Sequence, residues 1–161
     1  MSELVIREAN EADISLILRF ILELAEFEKL KHEVVATEEQ LRDTLFGETK
    51  YAHVIIAELD AQPVGFALYF YNYSTFLGKP GLYLEDLYVT PEARGKKVGK
   101  KLLVKLAQIA LKNNCGRFEW WVLDWNKNAI DFYRSIGAVG MDEWTVQRVD
   151  GQALVDLACE R

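Results

Sequence analysis

Residues 82–110 constrain this chain more than any other stretch. Leu82 to Val89 reads as a strand, the cationic run Arg94-Gly95-Lys96-Lys97-Val98-Gly99-Lys100-Lys101 follows, and from Gly99 the apolar residues Leu102, Leu103, Leu106, Ile109 and Ala110 fall on one helical face. Arg117 to Val122 then reads as another strand, and a strand, helix, strand unit places its two strands parallel. The run sets five cations at the start of a helix, although the chain carries 25 Asp and Glu against 19 Lys and Arg, a formal charge of -6. Unpaired N–H groups already make a helix N-terminus partly positive, so cations gathered there are unfavourable unless an anion joins them. Glycines let backbone approach such an anion closely, and successive N–H groups hold a diphosphate well. The competing reading is a solvated basic face.

Two familiar phosphate motifs do not fit. A P-loop needs four residues between its first glycine and Gly-Lys, then Ser or Thr. Here three residues separate Gly95 from Gly99, and Lys101 follows Lys100. The dinucleotide pattern GxGxxG is absent as well.

The rest of the chain fills in an α+β domain. Leu4 to Arg7 predicts a short opening strand, and Asn10, Glu11 and Asp13 introduce a long helix whose stripe is Ile14, Ile17, Leu18, Ile21, Leu24 and Ala25. Thr37 and Gln40 form a capping box for a shorter helix ending near Phe46. Ala52 to Leu59, Val64 to Tyr73 and Leu82 to Val89 predict three neighbouring antiparallel strands. A helix from about Asn128 to Ile136 is stopped by Gly137, followed by a strand around Trp144 to Val149 and a final amphipathic segment, Gln152 to Ala158. With half its residues apolar and no linker or repeat, the chain is expected to be one domain over residues 1–161. The fold expected is a mixed, mostly antiparallel sheet with helices on both faces.

Several function classes are disfavoured. The acidic balance argues against a duplex nucleic-acid binder, and no positive leader or bilayer-length apolar run is present, so a cytoplasmic protein without membrane or nucleic-acid partners is expected. Cys115, Cys159, His32 and His53 lack ligand spacing, so neither a metal site nor a disulfide framework is expected.

Leu84-Glu85-Asp86-Leu87-Tyr88-Val89, followed by Pro91-Glu92-Ala93-Arg94-Gly95-Lys96-Lys97-Val98-Gly99, resembles the strand and pyrophosphate loop of the GNAT superfamily of N-acetyltransferases. Trp125-Asn126-Lys127-Asn128-Ala129-Ile130-Asp131-Phe132-Tyr133 with Gly137-Ala138 resembles that superfamily's second cofactor motif. Over nearly the whole chain, through Glu23 to Glu28, Glu85-Asp86, Trp125-Asn126 and Tyr133, it is most similar to the spermidine/spermine and diamine N-acetyltransferase group. One departure stands out, because Lys97 occupies a position where the loop pattern has glycine.

The resemblance implies acetyl-CoA as cofactor, held by Leu87, Tyr88, Val89, Arg94, Gly95, Lys96, Lys97, Val98, Gly99, Lys100, Asn126 and Tyr133. It implies Glu85 as the group drawing a proton from the amine, through water, and Tyr133 as the acid for the departing thiolate. Backbone N–H near Tyr88 and Val89 is expected to polarise the thioester carbonyl. Phe27, Glu28, Glu85, Asp86 and Asp124 are candidates for binding a small diamine or polyamine, with Asp86 expected on the strand face opposite Glu85. Phe76 and Trp125 are further candidates for its aliphatic part, and either is also at home in a core. A homodimer is expected, its axis near the strand at Trp144 to Val149. Acetylation of a protein N-terminus or another amine remains open, as does a non-catalytic acyl-CoA-binding module.

Overall fold

The computed structural model describes residues 2–160. The chain divides after Trp121 into two compact units. In the first, β1 (Leu4–Glu8), β2 (His53–Leu59), β3 (Gln62–Ser74), β4 (Lys79–Val89) and β5 (Arg117–Trp120) form one sheet in sequence order. Its first four strands run antiparallel and β5 lies parallel to β4, as the strand, helix, strand reading requires. The helices are α1 (Ile14–Phe27), α2 (Glu38–Leu45) and, linking β4 to β5, α3 (Val98–Lys112). No helix among the described residues is long and apolar enough to cross a membrane.

Alternation along the strands supplies two cores. Val54, Ile56, Phe66 and Tyr88 pack against Ile14, Ile17 and Phe20 of α1 and Leu41 and Leu45 of α2. Phe20 is fully buried, 5.6 Å from the ring of Phe66 and 5.7 Å from that of Tyr88, a position the predicted stripe omitted. Ile55, Ala57 and Ala67 alternate onto the opposite face, where α3 offers Val98, Leu102, Leu103 and Leu106. Val89 turns the same way, and Gly99 packs close to it.

The predicted capping box forms. Thr37 accepts from the Gln40 N–H while the Gln40 side chain accepts from Thr37 N–H, starting α2. Asn10 caps a short 3-10 turn over Glu11–Asp13 that leads into α1. There the Arg7 guanidinium donates to both oxygens of Asp13, at 2.8 and 2.9 Å, tying β1 to the start of α1. Asp13 also accepts from Asn10 N–H.

In the second unit, α4 (Lys127–Ser135) is capped by Asn126 and closed by Gly137 at φ 97, and α5 spans Gly151–Ala158. The strand expected around Trp144 to Val149 is absent: the segment has no neighbouring strand among the described residues and is exposed throughout. Its apolar alternation matches a strand pattern, but β-structure also needs a partner for its backbone groups, which pattern alone does not provide.

The Arg7–Asp13 pair carries an acid signature. The hydrogen bonds from Arg7 hold the Asp13 carboxyl below the usual aspartate range, against the opposing effect of its burial. A carboxyl depressed in the folded state contributes stability that is complete above its unfolded pKa of about 3.9 and fades as pH falls through the folded value. Urea unfolding of Asp13→Asn should therefore show a smaller loss of stability than the parent between about pH 5 and pH 2; identical profiles would remove Asp13 from the acid response.

Candidate active site

An irregularity in β4 builds the site. Leu68 of β3 pairs with Asp86 and the next residue, Tyr69, pairs with Leu84, so Glu85 is an extra residue, a β-bulge. Before the bulge, Leu82 and Leu84 sit opposite Tyr71 and Tyr69; after it, Asp86 and Tyr88 sit opposite Leu68 and Phe66, on the α1 face. Unbroken alternation would have sent Asp86 and Tyr88 to the α3 face. The expected separation of Glu85 from Asp86 onto opposite faces fails for this reason, since the alternation stops at Glu85 itself.

The pairing of β4 with β5 also stops at the bulge. That ladder runs from Gly81 and Arg117 to Leu84 and Trp120 and goes no further, whereas β3 stays paired with β4 as far as Val89. The Thr90 N–H donates to Val64 O, toward β3. By antiparallel alternation Tyr88 also addresses β3, while the Leu87 and Val89 backbone groups point to the open edge. Leu87 and Val89 are thus the available donors on that edge. Tyr88 is committed elsewhere, its ring in the α1 core and its hydroxyl donating to Glu23 at 3.2 Å.

Following β4, the loop turns through Gly95 at φ 83 and Lys97 at φ 66, and α3 begins. The first backbone bond of α3 from this end is Lys101 N–H to Lys97 O, leaving Val98, Gly99 and Lys100 N–H without backbone acceptors among the described residues. Free N–H donors at a helix N-terminus form a setting in which an anion is favoured. The surrounding cations divide their tasks. Arg94 donates to Val89 O at 3.2 Å and lies over the Phe27 and Tyr88 rings, 5.3 and 6.0 Å away, so it braces the loop against α1. Lys97, with Lys100 and Lys101, lines a cavity of about 540 Å³ on the β1 side of α3.

Across the sheet, Asp86 is half-buried and its carboxyl is pushed up to about 7, first by burial and then by the charges of Glu85 and Glu28. Glu28, at the C-terminal end of α1, is itself raised by burial. Sequence reasoning selected all three carboxylates, and the structure brings their charges to bear on one position. Phe27 stands beside them on α1, half of it open to solvent. Phe76, fully exposed at the β3–β4 turn, does not join any core. Asp124, Trp125, Asn126 and Tyr133 belong to the second unit, where Asn126 accepts from Ala129 N–H and Tyr133 is half-buried on α4 with its ring 5.8 Å from Phe132.

Lys97 pays a conformational penalty as the residue before α3. A side chain in the left-handed region costs about 1–2 kcal/mol, and glycine escapes this while losing more chain entropy on folding. Lys97→Gly should raise the unfolding free energy by about 0.5–1 kcal/mol in urea titrations; a loss of stability would mean that the Lys97 side chain contributes more than its backbone costs.

The geometry is an open strand edge with amide donors, a helix N-terminus with free N–H groups, and a desolvated carboxylate on the face where α1 ends. Residues 18–138 match the profile of the acetyltransferase (GNAT) family. The chain is 44% identical to the thialysine N-epsilon-acetyltransferase of Bos taurus, covering 98% of this chain and 99% of that one. It is 34% identical to the L-ornithine N5-acetyltransferase NATA1 of Arabidopsis thaliana, over 92% and 85% of the two chains. It is also 35% identical to the human spermidine/spermine N(1)-acetyltransferase-like protein 1, over 96% of this chain and 24% of that longer one. Among solved structures, an integron cassette protein from the mobile metagenome of V. cholerae superposes with a TM-score of 0.81 at 30% identity, covering 98% of both chains. The chain belongs to the acetyltransferase (GNAT) family, as an N-acetyltransferase whose acetyl donor is acetyl-CoA.

Proposed function

We propose that the acceptor is a primary amine of a small diamine or polyamine. The observation that carries this reading is that the charges of Glu85 and Glu28 both act on the desolvated Asp86 carboxyl, an acidic neighbourhood suited to an ammonium group. The relatives named for thialysine, ornithine and spermidine/spermine support it, because each of those acceptors carries more than one amine.

Acetyl-CoA supplies a thioester acyl carbon, and the amine must lose a proton before its nitrogen can bond there. An alkylammonium has a pKa near 10.4, so a proton acceptor working near neutral pH is needed. Asp86 is assigned that proton: burial and the charges of Glu85 and Glu28 push its carboxyl up to about 7, where it is available as a base and holds a proton afterwards. Glu85, exposed at the bulge, attracts the ammonium and links to Asp86 through water. The Leu87 and Val89 N–H groups stabilise negative charge on the carbonyl oxygen, and the N–H groups at Val98 to Lys100 hold the diphosphate. As the C–N bond forms and the C–S bond breaks, Tyr133 gives a proton to sulfur. Asn126, whose carbonyl caps α4, has its amide donor for the pantetheine arm.

The two units act in this proposal as one catalytic domain, since the family match crosses residue 121. We also propose a cytoplasmic homodimer. Trp144, Val146 and Val149 remain exposed in the second unit, and a partner chain would cover them.

Thiol release from acetyl-CoA, followed with diamines, polyamines, lysine analogues and N-terminal peptides, tests the acceptor. Turnover on diamines or polyamines is expected, with kcat/KM rising as pH passes through about 7 and that rise absent in Asp86→Asn, alongside a kcat reduced about 10²-fold or more in both Asp86→Asn and Tyr133→Phe. Preference for N-terminal peptides would replace the acceptor assignment, and acetyl-CoA binding without turnover on any amine would leave a binding module. Light scattering should give twice the 18.5 kDa chain mass at micromolar concentration; a single chain mass would overturn the dimer.

A further inference from the structure

Three aromatic rings extend the acidic face toward β5. Phe70 of β3 pairs with Tyr83 of β4, and Tyr83 with Glu119 of β5. The Phe70 and Tyr83 rings are 4.9 Å apart, and Tyr83 meets Trp121, one residue beyond β5, at 5.8 Å and 81°. Trp121 is 58% exposed, an uncommon setting for the largest side chain. Cross-strand partners share a face, so Tyr83, Glu119 and Trp121 stand on the side that carries Asp86.

Electrostatically these residues act on one another. The Tyr83 hydroxyl is held well above the ordinary tyrosine range by burial, then by the charges of Glu85, Glu119 and Asp86. Glu119 is oriented from one side: Arg117 Nε and Asn72 Nδ2 both reach its Oε1, at 3.3 and 3.5 Å, while Oε2 has no hydrogen bond among the described residues. Tyr83 lies two residues before Glu85, and Glu119 lies one strand across from Tyr83. With strand spacing near 4.8 Å and a rise near 3.4 Å per residue, the backbones of Glu85 and Glu119 are about 8 Å apart. A few methylenes between two nitrogens span such a gap.

We propose that Tyr83, Trp121 and Glu119 form a second subsite for the far, cationic end of the acceptor, so that the enzyme selects amines with a second positive group over monoamines of equal length. The Trp121 face takes the methylenes and the cation, which indole attracts more strongly than the other aromatic side chains do, and Glu119 Oε2 accepts a hydrogen bond from the far ammonium. This inference rests on the amine-acceptor reading above and adds the residues that determine which amines are chosen.

The test is steady-state kinetics with acetyl-CoA and either 1,5-diaminopentane or pentylamine, on the wild type, Glu119→Gln, Trp121→Ala and Trp121→Phe. In Glu119→Gln the KM for the diamine should rise about fivefold, as expected for loss of a partly exposed ion pair, with the KM for pentylamine and both kcat values within about twofold. Trp121→Ala should raise the KM for both amines, and Trp121→Phe should restore most of the loss. An equal response of the two amines to Glu119→Gln would overturn the subsite while leaving the acetyltransferase reading intact. Absence of turnover on every amine by the wild type would overturn both.

Discussion

A single extra residue in β4 sets the terms for the rest of the molecule. Because Glu85 has no partner of its own on β3, everything after it is rotated by one position relative to the sheet faces. Tyr88 thereby reaches the α1 core, where Phe20 and Phe66 receive it, and Asp86 arrives on the face where α1 ends at Glu28. The same irregularity coincides with the end of the β4–β5 ladder, which frees the backbone donors of Leu87 and Val89. One register shift thus yields both a desolvated carboxylate and an unpaired strand edge. The buried Tyr88 fixes the shift, since slipping back would expose that ring and turn Asp86 toward the apolar side of α3.

The charge distribution follows from this division. The strand edge leads into Gly95 and the free N–H groups at the start of α3, where negative ligands are favoured. The α1 face collects Glu28, Glu85 and Asp86, where positive ligands are favoured. An acidic chain therefore keeps a local basic run without contradiction, since the two signs serve opposite sides of one strand. Arg94 joins the sides mechanically: its guanidinium fastens the loop to Val89 O and lies on Phe27, the neighbour of Glu28.

Much of this was legible in the sequence because it depends on local rules. The capping box of Thr37 and Gln40, the stop at Gly137 and the parallel β4–β5 pair all follow from residue chemistry over a few positions or from chain handedness. The cationic run, too, could be assigned to a helix start. Phe20 is missing from the stripe read for α1, yet it stands three residues after Ile17 and four before Leu24 and is the largest fully buried side chain of that helix, so the same spacing includes it. The bulge left no trace in composition: Leu82 to Val89 has an acceptable strand pattern with or without an extra residue. Trp144 to Val149 failed in the other sense, having the pattern of a strand but no neighbour to pair with among the described residues.

Lys97 shows how a departure seen in sequence acquires meaning only from backbone geometry. A lysine in place of glycine would be harmless in an extended or helical position, but here it takes φ 66 immediately before α3. Such a conformation persists where the surrounding structure over-determines it, and the surroundings here are specific: Gly95 turns the chain just before, and Gly99 packs near Val89 just after. The left-handed turn directs the Lys97 side chain toward the β1 side of α3, leaving the N–H groups of Val98 to Lys100 uncovered. The loop therefore keeps these N–H groups open despite the lysine, and the cost falls on the stability of the turn.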